Sequence, residues 1–334
     1  MSRTFALTIP VLPGELRDSV CCAYLLCRIA DTIEDRADLD DARRAALFDT
    51  FSGLLVEPDD DALLARFATL WPKREGSADD AAYQPLMRQL APVIVAHASL
   101  TPRQRAPIND CVLEMIDGMR LMVRKPPERG VLHICSDLEE LERYCHYVAG
   151  TVGLMLTQLF ADHLGAGSTF SADAQREHGH RFGLGLQLTN ILKDHRVDLS
   201  RNVSFFPAEW LDTRRSNGTP AQGLLPQYKH RLVERTLEHL EAAHLYTLAL
   251  PPEPQGLRLF CLWALWMSAA TMREVACSTA PHPKISRAEV GEIVSASQRH
   301  VADDAALEAH FRRYVDDARE AAALLAGDHL HDSN

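Results

Sequence analysis

Val20-Cys-Cys-Ala-Tyr-Leu-Leu-Cys-Arg-Ile-Ala-Asp-Thr-Ile-Glu-Asp35 decides how the rest of the chain is read. Up to Ala30 the stretch is apolar on several faces, as in a helix buried on more than one side. It then ends in acid. Asp31 and Asp35 are four residues apart, so a helix sets both carboxylates on one face, with Glu34 beside them. Like charges at this spacing repel, which costs stability unless a cation lies between them. A solvated helix end is the plain alternative. The apolar run leading into the acids speaks against it, but spacing alone leaves both readings open.

A second stretch has the same character. In Asn190-Ile-Leu-Lys-Asp194-His-Arg-Val-Asp198 the residues Asn190, Asp194 and Asp198 recur every four positions, and Gln187 extends the stripe. Oxygen-only donors suit a hard cation such as Mg²⁺, which keeps waters and bridges to phosphate oxygens. The preceding run Gly183-Leu-Gly-Leu-Gln-Leu-Thr is largely apolar, and polar groups set in an apolar helix need a reason. An amphipathic helix with one polar face remains the alternative for this stretch taken alone. Together the two stretches predict a Mg²⁺–diphosphate site between facing helices.

The surrounding chain supports a helical protein with a large core. It has 334 residues, 46% hydrophobic and 24% charged, so disorder is excluded. Its net charge of −11 argues against a nucleic-acid partner. No signal peptide is read at the start. Of the two longest uncharged runs, Cys145–Ala161 contains His146, Thr157 and Gln158, and Leu259–Ala270 is too short to span a membrane. Eight scattered cysteines show no paired CxxC pattern, which predicts buried thiols in a reducing compartment and no zinc site.

Periodicity places helices near 15–36, 40–55, 82–98, 102–123, 137–164, 172–197, 220–249, 255–277, 286–298 and 304–326, with little or no sheet. Thr101-Pro102 with Gln104, Ser136 with Glu139, Thr219-Pro220 with Gln222, and Ser286 with Glu289 read as helix starts. Glu57–Asp61 and Pro72–Asp80 read as loops, and Arg124–Gly130 as a connector. These boundaries predict one all-α domain over 1–326 and a polar, frayed tail over 327–334.

A third stretch, Tyr144-Cys-His-Tyr-Val-Ala-Gly-Thr-Val-Gly-Leu-Met155, carries Gly150 and Gly153 inside a predicted helix. Each costs up to about 1 kcal/mol relative to Ala, which implies close helix packing or room for a ligand. Tyr144, Val148, Val152 and Leu156 form a stripe that walls an apolar pocket or packs an ordinary core.

In this order, the three stretches resemble the squalene/phytoene synthase family, the head-to-head trans-isoprenyl diphosphate synthases. Asp31–Asp35 matches the family's first aspartate-rich motif, Asn190–Asp198 the second, and Tyr144–Gly150 its Tyr-Cys-x-x-Val-Ala-Gly signature. The resemblance runs over roughly residues 2–290. In detail it leans toward squalene synthases, through Asp-Thr-x-Glu-Asp, Tyr-Cys-His-Tyr-Val-Ala-Gly, Phe260-Cys261 and Lys284-Ile-Ser-Arg287.

The resemblance implies an isoprenoid-synthase helical bundle around a central apolar cavity. It implies that two farnesyl diphosphates are joined through presqualene diphosphate and the product reduced with NADPH to squalene. Asp31, Glu34, Asp35, Asn190, Asp194 and Asp198 would hold Mg²⁺. Arg28, Lys193, Gln187 and Arg201 would assist at the diphosphate, and Ser2 and Arg3 would cap a second one. Val148, Val152, Leu156 and Phe260 would shield the allylic cation, and Phe5 and Tyr24 would offer it π-faces. Tyr144 is the candidate mediator of proton loss. Lys284 and Arg287 would contact the reductant. Gly165-Ala-Gly is no dinucleotide fingerprint, since the third Gly is absent and it follows a helix.

The chain departs from the family pattern in places. Lys193 stands where Arg is usual, keeping the charge but losing the bidentate fork. Val203 stands where an Arg is common, with Arg201 as a shifted substitute, and Ala264-Leu265 replaces Pro-Gln. Against eukaryotic squalene synthases, the C-terminal membrane anchor is expected to be missing. The expectation is a monomeric bacterial enzyme of the cytoplasm, without a transmembrane anchor, touching the membrane's inner face to release product. Competing readings are a dehydrosqualene or phytoene synthase that ends in proton loss without NADPH, and a presqualene diphosphate synthase. A catalytically dead assembly factor would be expected to lose the acidic ligands, which are intact here.

Overall fold

The computed structural model describes residues 3–36, 38–72, 84–122, 130–212, 215–216, 219–220, 223–278 and 280–331. Helices dominate them, in order α1 (Arg3–Thr8), α2 (Gly14–Asp35), α3 (Asp41–Val56), α4 (Asp61–Leu70), α5 (Leu90–Ser99) and α6 (Pro102–Met122). After these come α7 (Leu138–Cys145), a π-helical turn (His146–Gly150), α8 (Thr151–Leu164), α9 (Ala172–Ser200), α10 (Pro226–Ala249), α11 (Gln255–Cys277), α12 (Arg287–His300) and α13 (Asp304–His331). Among the described residues, strand structure is confined to two-residue ladders. Leu132–His133 pairs in parallel with Val203–Ser204, and Arg215–Ser216 pairs antiparallel to Thr219–Pro220. The all-α expectation holds.

The helix starts follow local chemistry. Thr101 and Gln104 form a reciprocal capping box: Gln104 N–H donates to Thr101 Oγ1, and Thr101 N–H donates to Gln104 Oε1. Ser286 accepts from Glu289 N–H as expected. At α7 the box is one residue later than predicted. Asp137 accepts from Glu140 N–H, and Glu140 accepts from Ser136 N–H.

Three expectations need correction, and one helix was not expected. Thr219-Pro220 does not open a helix; it lies in the small ladder, and α10 begins at Pro226. Pro226 is the better N1 residue, its φ preset and no N–H lost. Residues 57–60 form a loop as expected, but α4 follows directly where no helix was expected, because Asp60 accepts from both Ala62 and Leu63 N–H. The single helix expected over 82–98 is interrupted at Gln89, since the ring of Pro92 collides with the carbonyl four residues before it. α13 continues to His331, past the expected end at 326; a Gly such as Gly327 weakens a helix without stopping it.

One cluster of buried apolar side chains extends from Ile9 to Ala322. α9 packs on α8 and α10, α11 on α13, and α2 on α6. The last helices are tied by Arg258, 3% exposed, which donates to the carbonyls of Leu250, Leu248 and Val301 and to Asp304. No described helix is long and apolar enough to cross a membrane. The eight cysteines are free thiols, with Cys21 and Cys277 exposed and the others buried.

Candidate functional site

The helices surround a cavity of about 360 Å³. Its acidic end opens to solvent, where Asp35 is exposed; its far end is closed by side chains such as Phe160 and Tyr246, 0% and 2% exposed. Three walls carry the chemistry.

The first wall is the last turn of α2. Its position is unfavourable in itself, since three carboxylates sit where the helix dipole is already negative. Burial and the neighbouring Asp35 push Asp31 up to about 7, against the pull of Arg28, whose Nη1 lies 3.5 Å from Asp31 Oδ2. Burial, Asp35 and Asp31 push Glu34 up to about 8. Asp35 is raised as well by desolvation, with Arg28, Arg201 and Arg44 pulling it back. Arg44, reaching over from α3, secures the turn. Its guanidinium donates to the carbonyls of Ile33, Glu34, Arg36 and Leu39, which a helix end otherwise leaves unpaired.

α9 forms the second wall. Gln187, Asn190, Lys193 and Asp194 line the cavity. Asp194 is held from both sides, Oδ2 by Lys193 Nζ and Oδ1 by His282 Nδ1 at 3.0 Å. Asp198 does not line the cavity but belongs to the same electrostatic group: burial, Asp194 and Asp35 push it up to about 6 while Arg201 and Lys193 oppose. Arg201, the C-cap residue of α9, thus acts on Asp35 and Asp198 together.

The third wall runs along α7, the π turn and α8. Tyr144, Val148, Val152, Leu156 and Phe160 all face the cavity. In a pure α-helix an i, i+4 stripe drifts by about 40° per step, so four steps carry it about 160° around the axis. The π turn at His146–Gly150 fits more residues into a turn and takes back part of that drift. Close packing accompanies it. A Cβ on Gly153 would lie 2.0 Å from the Gly179 carbonyl oxygen, and one on Gly183 would lie 2.1 Å from that of Ala149. Both glycines are therefore required by the approach of α9 to this wall. The Tyr144 ring packs on Phe205 at 4.9 Å. Burial, then Glu34, Asp35 and Asp31, hold the Tyr144 proton well above the usual tyrosine range, so its hydroxyl is a donor here and not a base.

Phe5, Tyr24 and Phe260 form the aromatic part of the lining, with Phe5 6.1 Å from Tyr24 and 6.3 Å from Phe260. Ser2 lies outside the described residues, as does the side chain of Arg3. Lys284 and Arg287 are exposed and do not line the cavity.

The residues that sequence reasoning missed are Arg44, His282, Phe205, Phe160 and Tyr246. Phe160 alone had a usable signal, being the next i+4 step of the Tyr144 stripe.

The donor set can be tested against Mg²⁺. Asp31, Glu34, Asp35, Asn190 and Asp194 face one cavity from two walls. Among the described residues, no three His, Cys, Asp or Glu side chains are placed to hold a metal ion by themselves. Mg²⁺ is commonly held by one or two carboxylates, with its other positions taken by water and phosphate oxygens. The residues fit an ion shared with a bound diphosphate, not a cage made by protein alone.

A family model described as squalene/phytoene synthase matches residues 1–293. Human squalene synthase is 28% identical over 276 residues, 81% of this chain and 60% of that protein. The chain therefore spans about 60% of the length of such curated relatives. Among solved structures, a ligand complex of TcSQS superimposes with a TM-score of 0.68 at 22% identity, covering 96% of this chain and 95% of that one. A dehydrosqualene synthase complex gives 0.58 at 20% identity, covering 90% and 92%. At these identities the two structures establish the shared fold.

Proposed function

Because the chain belongs to the squalene/phytoene synthase family, we propose that it joins two farnesyl diphosphates head to head through presqualene diphosphate and reduces the product to squalene. The observation that carries this reading is the pair of oxygen-donor walls facing each other across the mouth of an apolar, aromatic-lined cavity. Asp31, Glu34, Asp35, Asn190, Asp194 and Asp198 would hold Mg²⁺, which would supply positive charge to stabilise the departing diphosphate; Lys284 and Arg287 would hold NADPH, which would supply a hydride.

The chain's own residues do the rest. Arg28, Lys193 and Arg201 add fixed positive charge at the diphosphate end, and Gln187 orients the same group. Val148, Val152, Leu156 and Phe260 exclude water from the allylic cation. Phe5 and Tyr24 turn ring faces toward it. Tyr144 keeps its proton, so it orients the departed diphosphate, which takes the proton lost in forming the cyclopropane. The enzyme in this reading is a cytoplasmic monomer that meets the membrane only to release product.

A second reading has one observation behind it. Ala264, which stands where Pro is usual, lines the cavity, so the wall is reshaped at that point. A reshaped deep end is the ground for the alternative, a final proton loss to dehydrosqualene without NADPH. Product analysis separates the two readings. The purified protein is incubated with farnesyl diphosphate and Mg²⁺, with and without NADPH, and the hydrocarbons are identified by gas chromatography–mass spectrometry. Squalene formed only with NADPH supports the first reading. Dehydrosqualene formed either way replaces it with the second. No product from farnesyl diphosphate overturns the proposed substrate.

A further inference from the structure

His282 does not line the cavity but touches Asp194, which does, and neither acidic motif nor the basic segment announces it. It lies 88 residues beyond Asp194, and its Nδ1 is 3.0 Å from Asp194 Oδ1. A carboxylate only accepts, so Nδ1 carries the proton in this contact. The side chain is 43% exposed, so core packing does not impose the pairing. Lys193 Nζ occupies the other oxygen of Asp194, and the two donors together fix the plane of the carboxylate. Each oxygen has a second lone pair, which leaves room for a cation alongside the hydrogen bonds.

The contact also fixes a segment. The link between α11 and α12 is anchored at one end by Ser278 N–H on the Glu274 carbonyl, and at the other by the Ser286 cap. Between them His282 reaches across to α9. Lys284 follows two residues later, and two residues span at most about 7 Å of chain. Whatever holds His282 on Asp194 therefore holds Lys284 near the acidic mouth.

We propose that His282 is a positioning residue, orienting Asp194 toward a diphosphate-bound cation and tying the Lys284 segment to that end of the cavity. The inference rests on the metal–diphosphate reading above. Outer partners of metal-binding carboxylates typically contribute 10- to 100-fold, in order of magnitude, to metal affinity.

The test uses the full-length protein with Mg²⁺ and inorganic pyrophosphate, titrated calorimetrically, alongside amide hydrogen exchange over residues 280–286. His282→Ala should weaken Mg²⁺–pyrophosphate binding on the order of tenfold and speed exchange in that segment, with unchanged circular dichroism. His282→Asn, whose amide nitrogen can take the place of Nδ1, should recover most of both. Unchanged or tighter binding in His282→Ala overturns the proposal, as does unchanged exchange. Asp194→Ala separates the two levels. If it loses binding while His282→Ala does not, only the role of His282 fails; if it binds as the wild type does, the metal reading fails too.

Discussion

Asp31, Glu34 and Asp35 sit on one helical turn, where burial and the charge of Asp35 push the carboxyls of Asp31 and Glu34 upward. A protein keeps such a cluster where the charges are used. Replacing Asp31 or Asp194 with Ala should cut diphosphate release from farnesyl diphosphate by at least about a hundredfold, the scale of losing a group that stabilises developing charge. Circular dichroism should show the fold intact; retained turnover in both variants would remove the metal assignment. Tyr144→Phe keeps the ring against Phe205 and deletes only the hydroxyl. It should slow formation of presqualene diphosphate by about 10²–10³-fold, the scale of losing one hydrogen-bond donor to developing charge, with little change in substrate affinity, as single-turnover kinetics would show. The acidic residues were legible in the sequence because their chemistry demands one residue type at helical spacing. Arg44 and His282 were not. Each acts on a partner in another element, and nothing in its own neighbourhood marks it.

Among the elements, the wall of α7, the π turn and α8 shows best what local pattern can tell. Its helical character and glycines were readable; the π turn was not, because the wider turn depends on packing against α9 and not on propensity. Gly153→Ala presses a methyl onto the Gly179 backbone. It should destabilise the protein by about 1–3 kcal/mol, the range for overpacking, measurable by urea unfolding. Because Gly153 and Gly179 both line the cavity, the same change should raise the KM for farnesyl diphosphate. A stability unchanged from wild type would mean that α8 and α9 are further apart than described. The misread start of α10 and the missed α4 have simpler causes. Pro226 and Asp60 were the operative start signals, and Thr219-Pro220 and the acidic run around Asp60 disguised them.

For the whole molecule, an ion pair between distant helices should contribute to stability at acid pH. Glu142 on α7 receives a bidentate contact from Arg235 on α10, and His239 Nε2 stands 3.5 Å away. Burial works to raise Glu142, but His239 and Arg235 together bring it down to about 2 from an ordinary 4.5. A depressed folded-state pKa contributes stability that is present above 4.5 and lost as the pH falls toward about 2. Glu142→Gln should therefore flatten the acid limb in that window, with an upper bound of about 3 kcal/mol. Denaturation curves taken at several pH values between 5 and 2 would test it, and parallel losses in variant and wild type would exclude the pair as a cause.

The sequence by itself determined the helical class, the two acidic stretches and the apolar stripe, because each depends on residues three or four positions apart, within reach of one helical turn. Only the tertiary structure decided which walls face each other, that a π turn keeps the stripe in line, and that Arg44 and His282 attend the two motifs. Those facts depend on contacts between residues far apart in the chain, and helix packing, not local periodicity, sets which distant side chains meet.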